Sequence, residues 1–106
     1  MEIKQYSVYW VNLDPVIGSE VSKTRPCVII SPDEMNKYLR TVIIAPLTHT
    51  LKAYPSRIAY TVAGEKGMVM LDQVRTIDKK RLVGFIAKLK KTENEKIKEV
   101  INEMLC

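Results

Sequence analysis

The chain has 106 residues, of which 46% are hydrophobic and 27% are charged. These values are close to the average for soluble globular proteins, so they exclude disordered and collagen-like classes and predict one domain over 1–106. The formal net charge of +5, from 17 Lys and Arg against 12 Asp and Glu, makes the protein moderately attractive to polyanions.

The first half of the chain predicts three strands. Ser7 to Leu13 is rich in aromatic and β-branched residues, and Asp14-Pro15 ends it because proline fixes its own φ. Val16 to Arg25 is polar and has no clean period, so we expect a long loop, which in a small domain is more often functional than idle. Strands are predicted at Cys27 to Ser31 and at Thr41 to Leu47, with a brief helical turn between them.

The second half predicts three more strands. Arg57 to Val62 is the fourth, and Ala63 to Gly67 is typical of a hairpin loop leading into Met68 to Leu71. Val83 to Leu89 is the sixth strand-like run. Six strands with short connections favour a small, strongly curved antiparallel barrel.

The C-terminal segment has a different pattern. Thr92 to Glu95 matches a capping box, in which the threonine hydroxyl and the glutamate carboxylate bond to free backbone amides at the helix start. Apolar residues then recur at helical spacing, at Ile97, Val100, Ile101, Met104 and Leu105. We therefore predict an amphipathic helix against the barrel, and a fold class that is mainly β with a helix (α+β).

Targeting and metal signals are absent from the sequence. Met1 to Gln5 lacks the apolar block of a secretory signal, so we expect a cytoplasmic protein. Cys27 and Cys106 have no further cysteine to form a framework, and we expect both to be free thiols. With His49 as the one histidine and no Cys-x-x-Cys pair, we expect no protein-built metal site.

Three polar clusters are candidates for chemistry: Gly18-Ser19-Glu20 with Arg25-Pro26, Thr48-His49-Thr50, and Leu71 to Asp78. Each also has a structural explanation, respectively a turn with a surface ion pair, an ordinary strand exit, and charge at a sheet edge. No phosphate-binding glycine loop, dinucleotide motif or nucleophile elbow occurs. The remaining groups, two arginines with a carboxylate, hydroxyls and an amide, suit a phosphodiester substrate.

RNA is the polymer that such groups can cleave without a metal. Its 2′-hydroxyl is an internal nucleophile, so an enzyme needs only to remove that proton, protonate the leaving oxygen and stabilise the extra negative charge. The planar guanidinium of arginine donates two hydrogen bonds to phosphate oxygens and stays charged. DNA lacks this nucleophile and would call for a metal-bound water.

Several motifs in order resemble the MazF/PemK family of toxin endoribonucleases, from Tyr6 to about Leu82. They are Tyr9-Trp10-Val11-Asn12-Leu13-Asp14-Pro15, Gly18-Ser19-Glu20, Arg25-Pro26, Ala45-Pro46-Leu47-Thr48, Tyr54-Pro55 and Leu71-Asp72-Gln73-Val74-Arg75-Thr76-Ile77-Asp78. The resemblance implies a homodimer of SH3-like barrels of the CcdB/MazF type. It also implies metal-independent, sequence-specific cleavage of single-stranded RNA without a cofactor, by the toxin of a type II toxin–antitoxin system that a cognate antitoxin neutralises.

The resemblance also implies roles for particular residues. Arg25 and Thr48 correspond to the catalytic pair, Ser19 and Glu20 to substrate contacts, and Gln73 to a position in the RNA groove. Two further cations are expected to bind RNA, Lys23 and Arg75. Lys23 lies in a loop, Val21-Ser22-Lys23-Thr24, that departs from the family pattern, so the cleavage sequence stays open.

Several alternatives remain at this point. An arginine is a poor general base, and His49 is expected to face away from its neighbour Thr48, so the identity of the base is open. A CcdB-like poison of DNA gyrase on the same fold is the alternative function, and an RNA-binding barrel without turnover is a third. The aromatic residues fall largely in predicted strands, so no stacking platform is evident.

Overall fold

The computed structural model describes residues 2–13 and 24–105. In chain order its elements are β1 (Ser7–Asn12), β2 (Thr24–Ile29), α1 (Asp33–Tyr38), β3 (Thr41–Thr48), β4 (Arg57–Val62), β5 (Glu65–Met70), β6 (Arg75–Asp78), β7 (Leu82–Lys88) and α2 (Lys91–Leu105). Single 3₁₀ turns, Leu71–Gln73 and Lys79–Arg81, stand before and after β6. The predicted fold class, mainly β with a C-terminal helix, is confirmed.

The strands form one curled antiparallel sheet in the order β4-β5-β3-β2-β1-β7, with β6 paired to β3. β3 changes partner along its length. Thr41 to Ile44 pair with β6, whereas Leu47 and Thr48 pair with β5. Pro46, which has no N–H to donate, lies at this change of partner. The sheet therefore turns at Pro46, just before the threonine that the sequence marks as functional.

Alternation along the strands gives the sheet a buried cluster on each face. The cluster that packs against α2 contains Val8, Val28, Ala45, Leu47, Ile58, Tyr60, Val69, Leu71, Leu89 and Ile97. The cluster on the opposite face, called here the second core, contains Tyr9, Val11, Cys27, Ile29, Val42, Ile44 and Ile77. Because successive side chains point to opposite faces, β1 to β3 supply both clusters. Within β1, Trp10 is 45% exposed, whereas its neighbours Tyr9 and Val11 are buried.

Two differences from the sequence prediction concern the second half of the sheet. The loop of the β4–β5 hairpin is only Ala63-Gly64, both with positive φ, which is the backbone of a tight two-residue turn. β5 therefore begins at Glu65, which pairs with Val62. β6, with only four residues, is a separate strand that the sequence prediction merged with its surroundings.

The helix α2 begins one residue earlier than the predicted capping box. Glu93 occupies the third helical position, and its carboxylate accepts hydrogen bonds from the Lys90 N–H at 2.9 Å and the Thr61 N–H at 2.8 Å. The expected box starting at Thr92 is therefore wrong, because Glu93 serves the helix start and ties it to β4.

The predicted apolar face of α2 is only partly buried. Ile97 is fully buried, and Val100 and Ile101 pack against the core, but Met104 is 43% and Leu105 is 76% exposed. None of the helices in the described part of the chain has the length and apolar character of a membrane span.

Candidate active site

Arg25 and Thr48 stand at neighbouring ends of β2 and β3. The register of these strands pairs Cys27 with Pro46. The paired stretch ends there, and Arg25 lies two residues beyond Cys27 while Thr48 lies two residues beyond Pro46, so side-chain alternation puts both on the face of that pair. Opposite residues project from the same face of a sheet. Arg25 is exposed and Thr48 is half-buried, so the guanidinium and the hydroxyl share one accessible face.

The Thr48 hydroxyl is oriented by a local hydrogen bond. Its Oγ1 accepts from the Thr50 N–H at 3.2 Å. A hydroxyl is both a donor and an acceptor, so this bond occupies a lone pair and leaves the hydroxyl proton available to an acidic or anionic ligand. The hydroxyl can therefore donate a hydrogen bond to a phosphate oxygen.

The backbone of Thr48 is held by its neighbours. Thr48 pairs with Met68 of β5. A Cβ built on Gly67, the residue before Met68, would collide with the Thr48 carbonyl oxygen. The same Cβ would lie 2.6 Å from the Tyr60 hydroxyl oxygen. Only glycine fits between a β3 carbonyl and a buried tyrosine ring at this distance. Gly67 therefore sets how closely β5 approaches the end of β3.

The buried thiol of Cys27 contacts the backbone of Arg25. Burial raises the pKa of the Cys27 thiol to about 12, while the charges of Arg25 and Arg75 act in the opposite direction. Cys27 Sγ lies 3.6 Å from the Arg25 carbonyl oxygen. Because Arg75 pairs with Ile44 of β3, it projects from the face of the second core. The predicted RNA-binding Arg75 thus shares a face with Arg25.

Gln73 lies at the end of the 3₁₀ turn that leads into β6, and its side chain is exposed. The preceding residue, Asp72, accepts from Arg57 Nε at 3.4 Å and from Ser56 Oγ at 3.2 Å. Burial raises the pKa of Asp72, but these hydrogen bonds and one from the backbone outweigh it and lower the pKa below its ordinary value. Asp72 therefore stays ionised and fixes the turn that presents Gln73.

Three predicted substrate contacts, Ser19, Glu20 and Lys23, lie outside the described residues, as does the expected turn at Gly18. The alternative of a surface ion pair between Glu20 and Arg25 lies outside them for the same reason. His49 is exposed next to Thr48.

Sequence reasoning missed the packing of Tyr54 and Arg57 near this face. The Arg57 guanidinium carbon lies 4.8 Å from the centre of the Tyr54 ring, and Asp72 anchors it. The one signal in the sequence was Tyr54-Pro55, which belongs to the resemblance quoted above. Nothing in the sequence joins Arg57 to Asp72, because fifteen positions separate them.

Within residues 2–13 and 24–105, no group of three or more His, Cys, Asp and Glu side chains is placed to hold a metal ion. The face instead combines two guanidiniums, a hydroxyl with a free proton and an exposed amide. Such groups bind the oxygens of a phosphodiester and stabilise charge that develops on them.

Comparisons with known proteins agree with this chemistry. A family model described as "PemK-like, MazF-like toxin of type II toxin-antitoxin system" matches residues 4–105. A curated relative, Endoribonuclease EndoA of Bacillus subtilis (strain 168), is 33% identical over 112 residues, covering 100% of this chain and 97% of the relative. The expected enzyme class, an endoribonuclease, agrees with that relative's name, and the CcdB-like alternative is not favoured.

Solved structures share the fold. The MazE-MazF crystal structure (Form-II) from Deinococcus radiodurans superposes with a TM-score of 0.85 at 22% identity, covering 99% of this chain and 96% of that chain. An endoribonuclease in complex with its cognate antitoxin, from a mycobacterial species, has a TM-score of 0.82 at 22% identity, with coverages of 97% and 94%. The curled sheet with its C-terminal helix is therefore an established architecture.

Proposed function

The chain belongs to the PemK-like, MazF-like toxins of type II toxin–antitoxin systems, and from this premise we propose that it is a metal-independent, sequence-specific endoribonuclease that cleaves single-stranded RNA in the cytoplasm. One observation carries the proposal. The β2–β3 register brings Arg25 and Thr48, from separate segments, to one accessible face of the sheet.

In the proposed reaction the ribose 2′-oxygen attacks the adjacent phosphorus as its proton is removed. The bond from phosphorus to the 5′-oxygen of the next nucleotide then breaks, and that oxygen takes up a proton. The products are a 2′,3′-cyclic phosphate and a 5′-hydroxyl end, so no water and no metal-bound hydroxide takes part in this step. The enzyme's task is to position the linkage and to stabilise the pentacovalent dianion.

Arg25 supplies the charge stabilisation. Its guanidinium donates two parallel hydrogen bonds to the non-bridging oxygens and stays charged at any working pH. Thr48 donates a hydrogen bond from its hydroxyl to the same phosphate. The Thr50 N–H fixes the direction of that hydroxyl. The two groups together hold the phosphate while the ribose attacks it.

Arg75 and Gln73 extend the contact along β6 and the turn before it, and Ser19, Glu20 and Lys23 complete the substrate contacts. Arg75 projects from the same face of the sheet as Arg25, so a second phosphate on that face has its own cation. Gln73 presents both a donor and an acceptor to base edges. We propose that Ser19, Glu20 and Lys23 set the cleavage sequence.

A cognate antitoxin is the second proposed partner. The relative from a mycobacterial species was solved with its cognate antitoxin, and the net charge of +5 here favours an acidic segment. Such a segment, disordered when free, competes with RNA for the basic face, and its binding weakens steeply with salt.

We place the homodimer contact on the apolar face left open by α2. A groove of roughly 440 Å³ is lined by Ile30, Ile43, Leu71, Val74, Ile101, Met104 and Leu105, among others. Val74, Met104 and Leu105 are exposed apolar side chains on it, and a second copy that buried them would remove this face from water. Met104→Glu should shift the protein from dimer to monomer in analytical ultracentrifugation. A variant that sediments like the parent would contradict this assignment.

The experiment that tests the function is sequencing of RNA 5′ ends. Purified protein should produce new 5′-hydroxyl ends at one short recurring sequence, and Arg25→Ala should produce at least about 100-fold fewer. Thr48→Ser, which keeps the hydroxyl, is the matched control and should cut at the same sequence. New ends made equally by Arg25→Ala, or no new ends with the parent protein, would contradict the proposal.

A further inference from the structure

The loop between β3 and β4 carries an aromatic group that the proposed reaction does not use. Tyr54 is 42% exposed. The Arg57 guanidinium carbon lies 4.8 Å from the ring centre, and the Lys52 ammonium lies 5.5 Å from it. We call Tyr54, Arg57 and Asp72 the Tyr54 platform. An exposed ring packed against an arginine is the type of surface on which nucleic-acid bases stack.

Asp72 and the backbone of the turn hold Arg57 and Tyr54 in place. The Arg57 side chain is only 16% exposed, and its Nε lies 3.4 Å from the Asp72 carboxylate. The Arg57 N–H also donates to the Tyr54 carbonyl at 3.0 Å, which closes the turn that carries the ring. A side chain fixed before binding loses less conformational freedom when a ligand packs on it.

The platform lies on the face of the sheet that presents Thr48. Thr48 pairs with Met68 of β5, and Met68 pairs with Ala59 of β4. Arg57 lies two residues from Ala59, so it projects from the same face. Two strand spacings and two residues of rise give roughly 12 Å between the Cα atoms of Thr48 and Arg57. A short stretch of extended RNA covers that distance.

A second tyrosine shows that a cation near an exposed ring is not by itself a site. Tyr38 is 72% exposed and has Lys37 at 5.5 Å from its ring. It lies at the end of α1, before the start of β3, whereas Thr48 is the last residue of β3. Tyr38 also has no anchored arginine among the described contacts. It therefore serves as the natural control for Tyr54.

We propose that the Tyr54 platform is a base-stacking subsite of the RNA groove. A base near the scissile linkage stacks on Tyr54, while Lys52 contacts a phosphate of the RNA. This inference rests on the proposed ribonuclease function and adds a specific contact to it. It departs from the expectation that no stacking platform is evident, because Tyr54 lies in the loop between β3 and β4 and not in a strand.

Binding is measured with an RNA oligonucleotide that contains the mapped cleavage sequence and a 2′-deoxyribose at the scissile position, so that it cannot be cut. Fluorescence anisotropy gives Kd for the parent, Tyr54→Ala, Tyr54→Phe and Tyr38→Ala. Loss of one stacked base should raise Kd about tenfold for Tyr54→Ala. Tyr54→Phe keeps the ring and Tyr38→Ala leaves the platform intact, so both should bind like the parent.

A double-mutant cycle locates the stacked base. Each position of the oligonucleotide is replaced in turn by an abasic nucleotide, and Kd is measured for the parent and for Tyr54→Ala. At one position the effect of Tyr54→Ala should vanish, because the base that stacks on the ring is already missing. Far-UV circular dichroism of Tyr54→Ala that matches the parent shows that its loss of affinity does not come from misfolding.

The outcomes separate this inference from the function on which it rests. If the parent binds and cuts RNA while Tyr54→Ala binds as well as the parent, the platform is wrong and the ribonuclease stands. An equal loss for Tyr54→Phe and Tyr54→Ala would also overturn stacking, because it would point to the phenol hydroxyl. If the parent cuts no RNA, the ribonuclease proposal itself fails.

Discussion

Gly67 offers a direct test of how packing of the sheet positions Thr48. In Gly67→Ala the new Cβ would lie 2.6 and 2.7 Å from the Tyr60 hydroxyl oxygen and Cε1 and still closer to the Thr48 carbonyl. Ordinary carbon contacts are about 3.5–4 Å, so the neighbours must retreat by roughly 1 Å. Tyr60 is buried, and the β3 carbonyl belongs to the sheet, so neither can move freely.

The expected cost of this substitution follows from the geometry. Overpacking of a filled interior usually costs about 1–3 kcal/mol, and three simultaneous close contacts favour the upper part of that range. A displacement of roughly 1 Å at a catalytic group lowers the rate by about 100-fold. We therefore expect Gly67→Ala to lose about 3 kcal/mol of unfolding free energy, and to lose most of its activity at temperatures where it is still folded.

Gly84 provides the matched control. It lies in β7, and a Cβ built on it meets nothing within 4 Å. Gly84→Ala should therefore leave unfolding free energy unchanged or raise it by less than about 1 kcal/mol, because alanine reduces the entropy of the unfolded chain. Urea unfolding and cleavage rates are measured for both variants. If Gly67→Ala is as stable and as active as Gly84→Ala, the argument for close approach at Thr48 is refuted.

Three further predictions concern buried or paired groups. Glu93→Ala removes the acceptor of the Lys90 and Thr61 N–H groups, so urea unfolding should show a loss of about 2–4 kcal/mol. Cys27, with its pKa raised to about 12, should resist iodoacetamide at pH 8 until the protein is unfolded, as mass spectrometry can check. The pKa of Asp72 is lowered in the folded state. The ionised carboxylate therefore stabilises the fold at pH values above the ordinary pKa of an aspartate. This stability is lost as the pH falls through the lower pKa of the folded state. Asp72→Asn should therefore flatten thermal stability between about pH 5 and pH 3 relative to the parent.

Strong local periodicity explains which elements could be predicted. β1, β2 and β3 are apolar runs bounded by proline or polar residues, and the helical spacing after Thr92 is unambiguous, so sequence reasoning found them. β6 could not be separated in this way, because its four residues stand between two 3₁₀ turns with no change in composition. The start of α2 was misplaced because Thr92 and Glu95 match the capping-box motif in the sequence. In the structure the helix begins at Lys91, and the Glu93 carboxylate accepts the Lys90 N–H.

The candidate site was predictable to a different extent. The resemblance implied roles for Arg25 and Thr48, Arg75 was a further cation expected to bind RNA, and the strand pairing puts all three on one face. The support of these residues was not predictable, because it depends on contacts between distant positions. The approach of Gly67 to Thr48 and the anchoring of Arg57 by Asp72 arise only when the sheet curls.

The exposed end of α2 shows why one apolar pattern can have two outcomes. Ile97 and Met104 belong to the same helical face, yet Ile97 is fully buried and Met104 is 43% exposed. Periodicity indicates which face avoids water but not what covers it. We propose that a second copy covers the end of this face.

The most direct test of the account is the rate of RNA cleavage in EDTA by the parent, Arg25→Ala and Thr48→Val, with Arg25→Lys separating charge from geometry. We predict full parental activity in EDTA, fragments with 5′-hydroxyl ends, and a loss of about 100-fold or more for Arg25→Ala and for Thr48→Val. Arg25→Lys should recover only part of the rate, because it keeps the charge and loses the two-bond geometry. Parental cleavage that stops in EDTA and returns with Mg²⁺, or a variant lacking either group that cuts at the parental rate, would contradict it.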